Sequence, residues 1–260
     1  KMIRFNDINN ILKFNGKTAV VLGSGLDLSS IELDRRRSLK YNNIKSMPLS
    51  SVSGHKSEFI SGYYNQKQIL ISRGRFHFYE GLEIEQITLP IKLFFNLGVK
   101  NLIITNSAGS INKNNKPGSL MVINGHFDCT FKNGYSIPQL INGGKYYSKK
   151  LINLALDESG KSNILLKKGK YCWTLGPNYE TPAEINFFRS FDGDLVGMST
   201  VPEVNFASKL DMNVLVISAL TNFAAGISDK LLTHEEVLFN ANKIQNNFTK
   251  LLLGIINNIN

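Results

Sequence analysis

Two groups of residues in this 260-residue chain have the types and spacing to do chemistry together, one suited to an anion and the other to a planar ring. In GSGL (23–26) the glycines let a backbone approach a ligand closely, and Ser24 adds a hydroxyl. Ser199 stands just before a segment that reads as the start of a capped helix, where the backbone favours negative charge. Arg75 and His77, in RGRFHFYEG (73–81), complete the first group. An arginine fork matches phosphate oxygens, and a histidine adds a further donor. The second group comes from GPNYETP (176–182) and the end of NVLVISALTN (213–222). Tyr179 offers a face for stacking, Glu180 an acceptor for ring N–H groups, and Asn222 both a donor and an acceptor.

Taken singly, these features are commonplace. GSGL is a frequent tight turn, a lone arginine is most often a surface charge, and Glu180 alone reads as a first-turn acid. The combination carries the argument. GSGLDL lacks the third glycine of the dinucleotide fingerprint and no GxxxxGK(S/T) loop is present, which argues against those nucleotide folds and against a nicotinamide dehydrogenase. Histidines 55, 77, 126 and 234 have no metal-ligand spacing, and His126 with Asp128 in GHFD is too sparse, so no metal is expected. His234 opens HEEV, where a neutral ring could reach a ligand hydroxyl. Cys129 and Cys172 form no CxxC pair and sit among bulky apolar residues, which predicts buried reduced thiols.

The elements that must hold these residues are short β-branched runs alternating with amphipathic ones. Strands are expected at 18–22, 68–72, 101–105, 120–123, 171–175, 194–198 and 213–220. Threonine followed three residues later by glutamate predicts capping boxes at Thr181–Glu184, Thr200–Glu203 and Thr233–Glu236, with Pro182 at a first helical position. A further helix is expected from Tyr147 to Glu158. The alternation implies one domain over residues 1–260, an α/β fold in the form of an αβα sandwich around a largely parallel or mixed sheet. Sites in such sheets gather beyond the strand carboxyl ends, where nearly every run here hands off to small, polar or ionisable residues.

The formal charge of +10 raises the possibility of a polyanionic partner, yet the lysines are scattered rather than aligned in a stripe. That favours a solvated basic surface over a nucleic-acid binder. No apolar run reaches the length of a membrane span, and the first residues interleave charges with apolar side chains, so a cytoplasmic protein with no membrane partner is expected.

In order, GSGL, GRFHFYEG, TNSAGSIN, GPNYETPAE, VGMSTVPEV, LTNFAAG and HEEV resemble the trimeric purine nucleoside phosphorylase family, which includes methylthioadenosine phosphorylase. The resemblance spans Val20 to about Leu238. It implies reversible phosphorolysis of 6-oxopurine ribonucleosides and deoxyribonucleosides, with inorganic phosphate as co-substrate, no cofactor, and a homotrimer. Phosphate would be held by Ser24, Arg75, His77 and Ser199, with the backbone at Ser107 and the loop around His55 contributing. Ribose would lie near Tyr79, Met198 and His234, and the base against Tyr179, Glu180, Val196, Thr221 and Asn222. Asn222, Glu180 and His77 would be catalytic. Methylthioadenosine members carry aspartate at the Asn222 position, so inosine and guanosine are the expected substrates. The chain departs from the family pattern at Asp27 and Ser110, where glycine is usual, and at Ser107, where alanine is usual. The stretch from Phe131 to Tyr147, shorter than in relatives, supplies in the family an aromatic residue to a neighbouring ribose pocket; Tyr135, Tyr146 and Tyr147 are candidates.

Overall fold

The computed structural model describes residues 2–24, 26–28, 31–49, 56–228 and 234–259, excepting the side chains of 234–239 and 241–243. Its strands are β1 (Thr18–Leu22), β2 (Asp34–Lys40), β3 (Glu58–Tyr64), β4 (Lys67–Arg73), β5 (Asn101–Ser110), β6 (Leu120–Asp128), β7 (Leu140–Asn142), β8 (Leu166–Trp173), β9 (Leu195–Gly197) and β10 (Asn213–Phe223). Its helices are α1 (Ile8–Leu12), α2 (Ile84–Ile87), α3 (Leu89–Asn96), α4 (Lys149–Lys161), α5 (Pro182–Ser190), α6 (Val201–Lys209) and α7 (His234–Asn258).

All the strands join one mixed sheet. β4, β1, β5 and β10 run parallel, in that order, so their carboxyl ends emerge at the same edge. β10 also pairs antiparallel with β6, β6 parallel with β8, β8 parallel with β9, and β9 antiparallel with the last residues of β5. This circuit closes on itself, leaving β3 and β2 to extend the sheet outward from β4. β1 is buried throughout and β10 nearly so, as expected of apolar runs covered on both faces. α7 packs on β10 and on α4, while α6 packs on β10, α2 and α3.

The strongest apolar runs form the expected strands, but β5, β6 and β10 continue beyond them, so Ser107, Thr221 and Asn222 lie within strands rather than in the loops after them. β8 begins earlier than expected and ends at Trp173, leaving Thr174 outside. β2 was not foreseen because DRRRSLK is almost wholly exposed and shows no apolar alternation; its charges suit the open edge of a sheet.

Thr181 forms the expected capping box: its Oγ1 accepts from Glu184 N–H (3.3 Å), Glu184 Oε2 accepts from Thr181 N–H (2.7 Å), and Pro182 sits at the first helical position. α4 is capped by Ser148 and starts two residues later than expected. Thr200 and Glu203 do not form a box. Thr200 adopts φ 77°, ψ −51°, uncommon for a β-branched residue, and its Oγ1 accepts from Asn106 Nδ2 (2.9 Å) instead of capping α6. Glu203 turns to Arg75. The expected box at Thr233 lies outside the described residues. Cys129 and Cys172 are buried free thiols, as expected.

Candidate functional site

A cavity of about 240 Å³ opens at the carboxyl ends of β1, β4, β5 and β10. It is lined by Ser24, Arg75, His77, Tyr79, Ser107, Tyr179, Glu180, Val196, Met198, Ser199, Thr221 and Asn222, each picked out from the sequence. His55 lies outside the described residues. His234 opens α7, but its side chain is outside the description. Sequence reasoning missed Asn106 and Pro177 in the lining. Both lie inside motifs that were noticed, TNSAGSIN and GPNYETPAE, but neither was singled out within them.

One end of the cavity is built around Arg75, which follows β4 and is only 2% exposed. Its Nη1 donates to the Thr105 carbonyl (2.8 Å) and to Ser199 Oγ (3.1 Å), and Nη2 lies 3.1 Å from Glu203 Oε2. The Glu203 contact is an ion pair without an aligned hydrogen bond, and Arg75 Nε and Nη2 have no aligned acceptor. Burial pushes the Glu203 carboxyl up, and the Arg75 guanidinium opposes that shift. Glu203 thus balances a charge that the interior would otherwise hold alone, a role invisible in a local capping pattern.

His77 is 7% exposed; the Glu80 carboxylate accepts from its N–H (2.7 Å) and faces its Nδ1 (3.2 Å). Burial lowers the ring's pKa, Glu80 opposes this, and Arg75 adds to it. A neutral ring whose Nδ1–H points at Glu80 presents an acceptor at Nε2, and a donor there only once protonated. The opposite tautomer, with Nδ1 accepting from the Glu80 backbone N–H, presents Nε2–H as the donor expected from the sequence. Ser107 contributes differently from a bare backbone position: its Oγ donates to the Ser24 carbonyl (2.7 Å). Gly23 is needed where it stands, because a Cβ would come within 2.6 Å of Asn106 Cα.

The other end of the cavity is more open. Tyr179 is 45% exposed. Glu180 Oε1 accepts from Thr174 Oγ1 (2.6 Å); burial raises the Glu180 pKa and the Thr174 hydrogen bond opposes it. Asn222 Oδ1 accepts from Thr221 Oγ1 (2.9 Å) and its Nδ2 donates to the Phe223 carbonyl (2.9 Å). The register of β10 against β5 shifts between Leu220 and Asn222. Such a bulge re-aims side chains, which lets the consecutive Thr221 and Asn222 both line the cavity.

Tyr79 links the two ends. Its ring stacks on His77 with centroids 4.8 Å apart and planes 14° from parallel. Desolvation pushes its hydroxyl up to about 12, so it is a neutral donor at physiological pH. Gly176, at φ +72°, lies so close that a Cβ would come 2.5 Å from Met198 Sδ and 2.8 Å from Tyr79 Cδ1. Of the aromatics between Phe131 and Tyr147, Tyr147 is buried against His126 Nδ1 (2.7 Å) and Tyr146 packs on the core. Tyr135 is exposed. Among the described residues no group of three or more His, Cys, Asp or Glu side chains could hold a metal, and no helix is long and apolar enough to cross a membrane.

Fold and cavity together define an α/β protein with a buried arginine corner and, beside it, a group of hydrogen-bonding side chains at the carboxyl edge of its sheet. The profile of the phosphorylase superfamily matches residues 17–257. Purine nucleoside phosphorylase 1 of Geobacillus stearothermophilus is 37% identical over 250 residues, covering 92% of this chain and 90% of that protein. The Bacillus subtilis protein of the same name is 39% identical over 247 residues, covering 92% and 91%. A Schistosoma mansoni purine nucleoside phosphorylase solved with inosine superposes with a TM-score of 0.89 at 26% identity, covering 98% of this chain and 95% of that one. The chain belongs to the phosphorylase superfamily and, within it, to the purine nucleoside phosphorylases.

Proposed function

We propose that this chain catalyses the reversible phosphorolysis of 6-oxopurine nucleosides, ribo and deoxyribo, to the free base and α-(deoxy)ribose 1-phosphate. The observation that carries the reading is the joining of two chemistries in one cavity: Arg75, His77, Ser24, Ser107 and Ser199 at one end, Tyr179, Glu180, Thr221 and Asn222 at the other. Phosphate sits at the first, with His55 contributing, and the base at the second beside Val196. Ribose lies between them against Tyr79 and Met198, its 5′-hydroxyl toward His234. The protein works as a cytoplasmic homotrimer of single-domain chains over residues 1–260, with phosphate as co-substrate and no cofactor.

The glycosidic bond loosens first, leaving positive charge on the ribosyl ring and negative charge on the departing purine. The buried cationic corner holds phosphate against the opposite face of the sugar, where it stabilises the ribosyl cation and then bonds to the anomeric carbon with inversion. Asn222 donates to N7 as charge builds there, and the Glu180 carboxylate accepts N1–H of the base. The Asn222 interaction strengthens as the bond breaks, which is the condition for accelerating the chemical step, while the Glu180 contact orients the base.

Base release from inosine, measured with and without phosphate and beside adenosine and methylthioadenosine, tests the reading. Phosphate-dependent hypoxanthine release with little turnover of the 6-amino compounds is expected. Release independent of phosphate would make the protein a hydrolase, and preference for methylthioadenosine would overturn the role given to Asn222.

A further inference from the structure

The loop after β1, which carries Ser24, is fastened at both ends by side chains from elsewhere in the fold. At its start Gly23 N–H donates to Thr105 Oγ1 (3.1 Å), and Ser107 Oγ donates to the Ser24 carbonyl (2.7 Å). At its far end Arg73 Nη2 donates to Asp27 Oδ1 (2.8 Å) and Oδ2 (3.1 Å). Asp27 Oδ1 also accepts from Leu28 N–H (2.8 Å), and Lys56 Nζ lies 3.6 Å from Oδ2. Gln245 of α7 grips the same residue by its backbone, accepting from Asp27 N–H (3.2 Å) and donating to the Asp27 carbonyl. Arg73, 8% exposed, is held in turn by Glu58 Oε1 (2.8 Å).

Arg73 is the last residue of β4, and Arg75 and His77 follow two and four residues later. The Asp27–Arg73 pair therefore ties the Ser24 loop to the strand end that presents the arginine and histidine of the anion corner. The side chains of Asp27 and Ser107 are both engaged within the protein.

We propose that Asp27 and Ser107 are positioning residues that fix the Ser24 loop against β4 and β5, so that the corner has its phosphate-binding geometry before phosphate arrives. The proposal rests on the reading above that this corner takes phosphate. The Ser107 hydroxyl hydrogen is committed to the Ser24 carbonyl, and the Asp27 carboxylate is neutralised by Arg73. A loop free to move would lose that freedom on binding, which weakens affinity for the anion and leaves the base slot untouched.

Steady-state kinetics with phosphate and inosine varied separately test this, beginning with the parent enzyme. Ser107→Ala is expected to raise the KM for phosphate about five-fold, the scale of one neutral hydrogen bond. Asp27→Ala is expected to raise it about ten-fold, because a charge-assisted pair is lost, with Asp27→Asn falling between parent and Ala. In Asp27→Ala and Asp27→Asn, kcat and the KM for inosine stay within about two-fold of the parent. The rise in Tm on adding phosphate shrinks in the same order. If Asp27→Ala does not fold, Asp27→Asn, which keeps the side chain's size and removes its charge, decides the matter. An unchanged phosphate KM in folded variants, or a joint decline in kcat and both KM values, overturns the positioning role alone. A parent enzyme that releases base without using phosphate overturns the functional reading and this proposal with it.

Discussion

The two ends of the cavity are built on different physical plans. At the anion end Arg75, His77 and Ser199 are all buried, and the arginine is tied to β5 by a carbonyl, to Ser199 by a hydroxyl and to α6 by a carboxylate. At the end proposed for the base Tyr179 is substantially exposed, though Thr221 and Asn222 are buried, and Glu180 and Asn222 are held by nearby residues: Thr174, Thr221 and Phe223. A small anion offers few contacts, so its site gains from rigid charge prepared in advance, whereas a purine brings its own flat surface and hydrogen-bond edge. The contrast separates the effects of mutation. Changes at the first end should disturb folding and phosphate use together, and changes at the second should disturb substrate chemistry with little cost to the fold.

The largest effect expected comes from breaking the buried pair at the anion end. Glu203→Ala leaves Arg75 charged and uncompensated, and should cost about 3–5 kcal/mol of stability, read by chemical denaturation. A loss no greater than that of a surface substitution would place the two ends on an equal footing. Next comes Asn222→Ala at the base end. It should lower kcat by roughly 10²–10³-fold, the scale for losing one preorganised donor. An unchanged kcat removes Asn222 from the mechanism.

Glu180 sharpens the comparison through pH. Its carboxyl is raised by burial, and in the proposed mechanism the charged form accepts N1–H, so kcat/KM for inosine should fall as pH drops through a pKa above the usual carboxylate range. Glu180→Gln should remove that limb. The sign for stability is opposite. A carboxyl whose folded pKa is raised disfavours the fold once it ionises, so Glu180→Gln should raise Tm at neutral pH and lose that advantage below the unfolded pKa of about 4.3. A parent profile with no acid limb in that range would contradict the base-binding role. The smallest change expected is in Thr174→Val. Removing its hydrogen bond to Glu180 should cost no more than about 1 kcal/mol of stability while shifting the acid limb upward, because the bond favours the ionised form.

How much could be read in the sequence follows the same division. The central strands were legible because TAVVL and NVLVISAL are buried on both faces, and the Thr181 box was legible because its partners are three residues apart. The residues lining the cavity were legible as well, since the strand ends deliver them to one edge. The supports were not. Thr200 and Glu203 match a capping box at the level of sequence, but Asn106 and Arg75, far away in the chain, claim their side chains. Glu80 at His77 and Thr174 at Glu180 lack any pattern of their own. β2 escaped notice because an exposed edge strand has no buried face to impose alternation. Local rules read local chemistry, and the contacts that hold Arg75 are non-local.

The account's central claim is that both ends act in one reaction, phosphate replacing the purine with inversion at the sugar. Following the turnover of inosine by ³¹P NMR in phosphate buffer tests this most directly. The account predicts α-ribose 1-phosphate formed in step with hypoxanthine, one for one; free ribose with unconsumed phosphate, or the β-anomer, would contradict it.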